Sequence, residues 1–320
     1  MSKLPKLNNS VLSRIREELR HINYQHLNES ARKRFTLVLA GTDSEINDMQ
    51  RWLDTLEYPL LKQWARRSAT GVVDEARQRR RLRVVRFADA GDIALFPEEY
   101  CVALRQAAFC LTTARWATLL APHASSLHVY DAGDGEGTAA EILETQQELR
   151  FALSHCFPVF RAIHARMEIR ATAIQNASWA LFTAAPNLVP NPGQVFTIPA
   201  EALSDFVVLT VNEIKMMFEL VALSGRRVQP LHTLPEFGII LGLAKVAQSA
   251  ATNLLGKAPA AGPIIKGGVA YAFTSAIGEA LFLYQIAGVR PSKEFLEKRA
   301  KVWLEEGKTV AKKLLKRERT

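Results

Sequence analysis

The sequence predicts an α+β protein that is mostly helical, with a small α/β head of degenerate nucleotide-binding type followed by an apolar helical bundle or membrane hairpin. Three observations carry this. A strand–turn–helix unit opens near residue 35. Apolar segments of helical length fill the second half of the chain. Charge is also unevenly spread: residues 1–170 hold 24 basic and 21 acidic groups, residues 171–288 hold 6 and 6, and residues 289–320 hold 11 and 5. These sum to the net +9 of the 320-residue chain. A polar head, an apolar body and a basic tail follow one another, with expected boundaries at 1–34 (N-terminal amphipathic helix), 35–150 (head), 151–289 (apolar helical domain) and 290–320 (basic helix).

The N-terminus lacks the apolar run of a signal peptide, so a membrane location would depend on a later segment. Three scattered cysteines, Cys101, Cys110 and Cys156, make no disulfide framework and point to a reducing compartment. Residues 10–29 read as an amphipathic helix, with Val11, Leu12, Ile15, Leu19 and Ile22 at three- and four-residue spacing. Arg32, Lys33 and Arg34 lead into the apolar run Phe35–Gly41. Thr42 followed by Glu45 is a capping-box pattern, and Ile46, Met49, Leu53 and Leu56 give the next helix one apolar face. Leu82–Ala88 and Ser126–Ala132 read as further strands. Pro97 is expected to open a helix running to about Leu120, with proline in the first turn.

The head opens as nucleotide-binding domains do, but its chemistry differs. A phosphate loop needs G-x-x-x-x-G-K-[ST]. Gly41 is followed by Thr-Asp-Ser-Glu-Ile-Asn, with no second glycine and no lysine. Asp43 and Glu45 sit at a helix N-terminus that would otherwise attract an anion, and their carboxylates repel phosphate. The carboxylates of Asp131–Gly137 miss the calcium-loop spacing and read as a solvated turn. The run Arg77–Arg83 reads as a solvated helix end beside a strand, with contact to nucleic-acid or lipid phosphates as the alternative, and no nucleic-acid partner is expected. His123/His128 and His155/His164 have no zinc-ligand spacing with cysteines, and no hydrolase motif appears. The expectation is a non-enzyme without catalytic residues, metal or cofactor.

In the body, residues 159–185 read as a helix, a turn with Pro186, Pro190, Pro192 and Pro199 interrupts it, and Ala200–Gly225 forms the next helix. Five charges (Glu201, Asp205, Glu213, Lys215 and Glu219) make that helix a poor lipid-facing span. Glu236–Gly256 and Gly267–Gly288 read as a candidate membrane hairpin over 236–288. Its second arm reaches about 33 Å, near the thickness of bilayer hydrocarbon. Small residues recur along it at Gly268, Ala272, Ala276 and Ala280. Lys245 and Glu279 are the interior charges of the two arms and are expected to pair.

The segments APNLVPNPGQVFTIPAEAL, VNEIKMMFELVALSG and AAGPIIKGGVAYAFTSAIGEALFLYQIAG resemble the bacterial YcjF-like family, domain of unknown function 697, over about residues 169–288. The resemblance implies membrane association and a small GTPase as neighbour or partner. It implies no catalytic residues. The missing phosphate loop departs from the GTPase head that the layout suggests.

In the tail, Leu296, Ala300, Trp303, Val310 and Leu314 share a helical face. Lys312, Lys313, Lys316 and Arg317 make a basic end suited to an anionic membrane surface. Gly307 weakens the helix by about 1 kcal/mol relative to alanine. The functional expectation is a membrane-associated, non-catalytic scaffold or regulatory protein that contacts the lipid bilayer and a protein partner such as a GTPase, with both termini cytoplasmic. The alternatives are a cytoplasmic, soluble helical interaction protein and a divergent nucleotide-binding hydrolase. The sequence leaves the homo-oligomeric state open.

Overall fold

A computed structural model describes residues 22–55, 82–87, 97–184, 200–230, 262–288 and 292–317, with isolated positions at 13, 17, 20 and 233. It is mostly helical with one small parallel sheet, an α+β architecture. The chain forms two compact units. One holds Gln25–Ala165 with Ala222–Arg227, and the other holds Met1–Tyr24, Arg166–Val221 and Val228–Thr320. The division falls inside a continuous helix at Ala165, and the basic C-terminal helix belongs to the helical unit.

In the α/β unit, helix α1 (Tyr24–Arg32) precedes strand β1 (Leu37–Gly41). Ile22 and Asn23 are not helical, so the amphipathic helix expected over 10–29 is broken there. Helix α2 (Asp43–Leu53) starts at the capping box that the sequence signals. Thr42 is the N-cap, and its hydroxyl accepts from the Glu45 N–H while the Glu45 carboxylate accepts from the Thr42 N–H. Strand β2 (Leu82–Arg86), helix α3 (Glu98–Gln106), strand β3 (Phe109–Thr112), helix α4 (Ala114–Leu120), strand β4 (Leu127–Val129) and helix α5 (Gly135–Thr145) follow. A short 3₁₀ turn (Gln147–Leu149) leads to helix α6 (Arg150–Cys156).

Strand β3 corrects the expectation of one helix from Pro97 to Leu120. Pro97 caps α3 from outside with extended backbone, and Ala107 turns extended to end it. Phe109–Thr112 are buried at every position, so the strand lacks the alternation that marks a half-exposed one.

All four strands are parallel in the order β2-β1-β3-β4. Leu37 pairs with Leu82 on one side and Phe109 on the other. Val38, Ala40, Val85 and Cys110 pack on one face against Leu104, Trp116 and Leu120. Leu37, Leu39, Phe109 and Leu111 alternate to the opposite face and are equally buried. Burial on both faces is the usual condition of a parallel sheet.

The helical unit contains most of α7 (Pro158–Ala184), α8 (Ala200–Leu223), α9 (Gly262–Ala287) and α10 (Lys293–Arg317). Gly225, at φ +89°, follows the end of α8 as a residue without Cβ readily can. α9 is the second arm of the expected hairpin. The first arm with Lys245, the proline-rich turn at 186–199 and most of Arg77–Arg83 lie outside the described residues.

Among the described residues α9 packs against three helices. Asn176 of α7 donates its amide to Thr274 of α9 and accepts from the Asn212 amide of α8, each at 2.8 Å. Thr274 donates to Glu213 of α8 at 3.3 Å. α10 returns antiparallel along α9, where Tyr271 donates to Glu306 at 2.7 Å. A methyl added at Gly307 would stand 2.5 Å from the Gly268 carbonyl oxygen, so glycine at both positions permits this crossing. By length and composition Pro263–Ile286 could cross a membrane, yet 72% of that window is buried inside the protein. The core helix of a soluble bundle has the same properties.

Candidate functional site

The site is the C-terminal edge of the sheet between β1 and β3. Strand order reverses there: β1 is followed in sequence by its neighbour on one side, and the chain then crosses to its neighbour on the other. Open α/β sheets bind ligands in the crevice outside the strand ends at such a switch point. Thr42 follows β1 here and Thr113 follows β3.

The Glu45 carboxylate fills the position between them. It accepts from the Thr42 N–H at 2.8 Å, the Thr42 hydroxyl at 2.9 Å, the Thr113 hydroxyl at 2.7 Å and the Trp116 indole N–H at 2.7 Å. Gly41 lets the carboxylate lie close, since a Cβ there would stand 3.0 Å from it. Trp116 is fully buried, tilted against Phe87 at 4.9 Å, and its ring carries the Arg115 guanidinium at 4.8 Å. These contacts fix the indole donor.

Burial pushes the Glu45 carboxyl up. Hydrogen bonds from the Thr42 backbone, Trp116, Thr113 and the Thr42 side chain outweigh it and hold the group down at about 2. Asp43, also at the start of α2, pairs with Arg86 at 2.8 Å. The helix N-terminus and its surrounding donors, which in a nucleotide-binding domain face phosphate, here face the protein's own carboxylate.

Sequence reasoning named Glu45 as a carboxylate that would repel phosphate. It missed Thr113 and Trp116, because the expected helix ran through both and neither carries a local motif linking it to residue 45.

A cleft beside this edge is lined by Trp52, Tyr130, Asp134 and Glu136, with the two rings 5.1 Å apart. Asp131 accepts from the Gly133 N–H and Asp134 from the Gly137 N–H, both at 2.8 Å, so these carboxylates organise their own turn and cap α5. Among the described residues no group of three His, Cys, Asp or Glu gathers as metal ligands do. His128 lies between Glu141 and Thr145, and His164 bonds to Ser154.

In the helical unit, Glu279 is buried and meets Arg299 of α10 in a bidentate pair at 2.9 and 3.2 Å. The Trp303 indole donates to the same carboxylate at 3.2 Å, and the guanidinium stacks 4.9 Å over that ring. The proposed partner Lys245 lies outside the described residues. Among the described residues the cation that Glu279 meets is Arg299. Glu213, also buried, is pushed up to about 8 by burial, against the opposing hydrogen bond from Thr274. Glu219 is raised to about 7 by burial and by Glu168, with Lys215 opposing. Lys312, Lys313 and Lys316 are exposed on α10; the side chain of Arg317 lies outside what is described.

Comparison of the chain with protein-family models, with curated proteins and with solved structures finds no match.

Proposed function

We propose that the protein is a membrane-associated, non-catalytic scaffold or regulatory protein, with a head that keeps the layout of a nucleotide-binding domain but not its ligand. The observation that carries this is the Glu45 carboxylate, held by four donors at the switch point of the sheet. A phosphate entering there would have to displace an ionised group that is already hydrogen-bonded, and would meet its charge. The partner class follows from the family resemblance: a GTPase that does bind nucleotide, with this head as its inactive counterpart.

Thermal unfolding of the full chain with millimolar GTP or ATP and magnesium tests the head. No shift is expected. A nucleotide at a hundred times its dissociation constant would add about 2.7 kcal/mol of stability, and a rise in melting temperature of that order would overturn the reading.

The membrane part rests on the span-length apolar α9 and the basic α10 beside it. The packing favours attachment at the surface over a crossing. α10 carries thirteen charged residues among its 25, and it runs along α9. A crossing α9 would take part of that helix with it, at about 2.5–3.5 kcal/mol for each charge near the bilayer centre. The second reading, a soluble helical interaction protein, is favoured by the burial of α9. Cell fractionation separates the two: recovery in the membrane pellet, released by high salt or alkali, is expected. Recovery in the supernatant would support the soluble reading.

A further inference from the structure

We infer that the outward face of α10 is a docking surface for the headgroups of anionic lipids, and that the helical unit meets a membrane side-on along this helix. The inference rests on the membrane reading above and adds which surface makes the contact and which lipid chemistry it takes.

The inward face of α10 is committed. Arg299 and Trp303 hold Glu279, Glu306 accepts from Tyr271, Gly307 crosses Gly268, and Leu304 and Ala311 are buried. This anchoring fixes which side faces water. Lys298, Lys301, Lys312, Lys313 and Lys316 are all exposed. At 100° per residue, Lys298, Lys301, Lys312 and Lys316 fall within about 60° of one another, in a row about 27 Å long. Lys313 flanks the row.

Two carboxylates lie on this strip: Glu305, with which Lys308 pairs at 2.7 Å, and Glu294, one turn before Lys298. The face is therefore net positive along its length, complementary to a surface of anionic headgroups. Val302, 51% exposed, lies about 40° outside the row on the side of Lys313 and offers an apolar contact beside it.

The same features disfavour nucleic acid. Single strands are held in basic grooves with aromatic stacking platforms. This row lies on the convex side of a helix, no exposed residue between its lysines is aromatic, and Trp303 is turned inward onto Glu279.

The test is co-sedimentation of the full chain with vesicles of phosphatidylcholine alone and of phosphatidylcholine with phosphatidylserine, at low and high salt. Binding is expected only with phosphatidylserine, and salt should weaken it. Each lysine near such a surface is worth about fivefold in partitioning, so Lys301→Gln, Lys312→Gln and Lys313→Gln together should weaken binding about a hundredfold. The matching triple arginine variant should bind as the parent does, which controls for damage to the helix. Equal binding to both vesicle types, no binding to either, or an unchanged glutamine variant would each overturn the inference. So would binding to a single-stranded oligonucleotide that phosphatidylserine vesicles cannot displace. A chain that pellets with cell membranes but ignores phosphatidylserine would sink this inference and leave the membrane reading standing. Recovery in the cell supernatant would sink the membrane reading itself.

Discussion

Glu45→Gln removes a charge and nearly nothing else, so it isolates what the filled switch point contributes. The folded-state carboxyl is held at about 2, against an ordinary value of 4.5. Taken at full strength that difference corresponds to about 3 kcal/mol of folding stability at neutral pH. The site is half-buried, and water screens it, so about 1–2 kcal/mol is the expected loss. Glutamine also presents an N–H₂ toward donors, which leaves at least one of Thr42, Thr113 and Trp116 poorly matched.

The pH dependence has a definite sign. Between pH about 4.5 and about 2 the unfolded chain binds the proton and the folded chain does not, so stability from this group falls as pH falls through that window. It is fully present above pH about 4.5. Urea unfolding of parent and variant, followed by tryptophan fluorescence, should show a gap at about pH 7 that narrows by about pH 3. Equal stability at neutral pH, or a gap that does not narrow in acid, would refute the argument that the carboxylate is held ionised by its four donors.

Arg299→Leu leaves Glu279 buried without its cation and should cost about 3–5 kcal/mol, while Glu279→Gln added to it should restore part of the loss. Purely additive losses in urea unfolding would show that the two groups are not coupled. Glu213, raised to about 8, is protonated in the fold while the unfolded chain is ionised above pH about 4.5. Its contribution is therefore full below pH about 4.5 and lost as pH rises from there to about 8. Glu213→Gln should remove that decline and be more stable than the parent at about pH 8; a parallel pH profile would contradict this. Gly307→Ala would strengthen an isolated helix by about 1 kcal/mol. In the protein the added methyl meets the Gly268 carbonyl, and a net loss of about 1–3 kcal/mol is expected. A raised melting temperature would mean that α9 and α10 do not cross so closely.

Much of the local structure was legible in the sequence. The capping box at Thr42 and Glu45, the strands near 82 and 127, and the helices over 158–184, 200–223 and 293–317 all follow from spacing, capping and hydropathy, which act over a few residues. Strand β3 was not legible, because burial on both faces removes the alternation that distinguishes a strand from a short piece of helix. Gly307 illustrates the same limit: along the helix it is only a weak point, and its use appears when Gly268 is opposite it.

The sequence by itself determined that the head carries no phosphate loop, that the body is apolar and that the tail is basic, since composition and motif are properties of the chain alone. Only the tertiary structure decided where the carboxylates go. Glu45 is satisfied by Thr113 and Trp116, 68 and 71 residues away, because the parallel sheet brings the ends of β1 and β3 together. Glu279 finds Arg299 because α10 folds back along α9. A buried charge must be matched by whatever donors the fold delivers to it, and that match depends on distances in space that one-dimensional spacing does not contain.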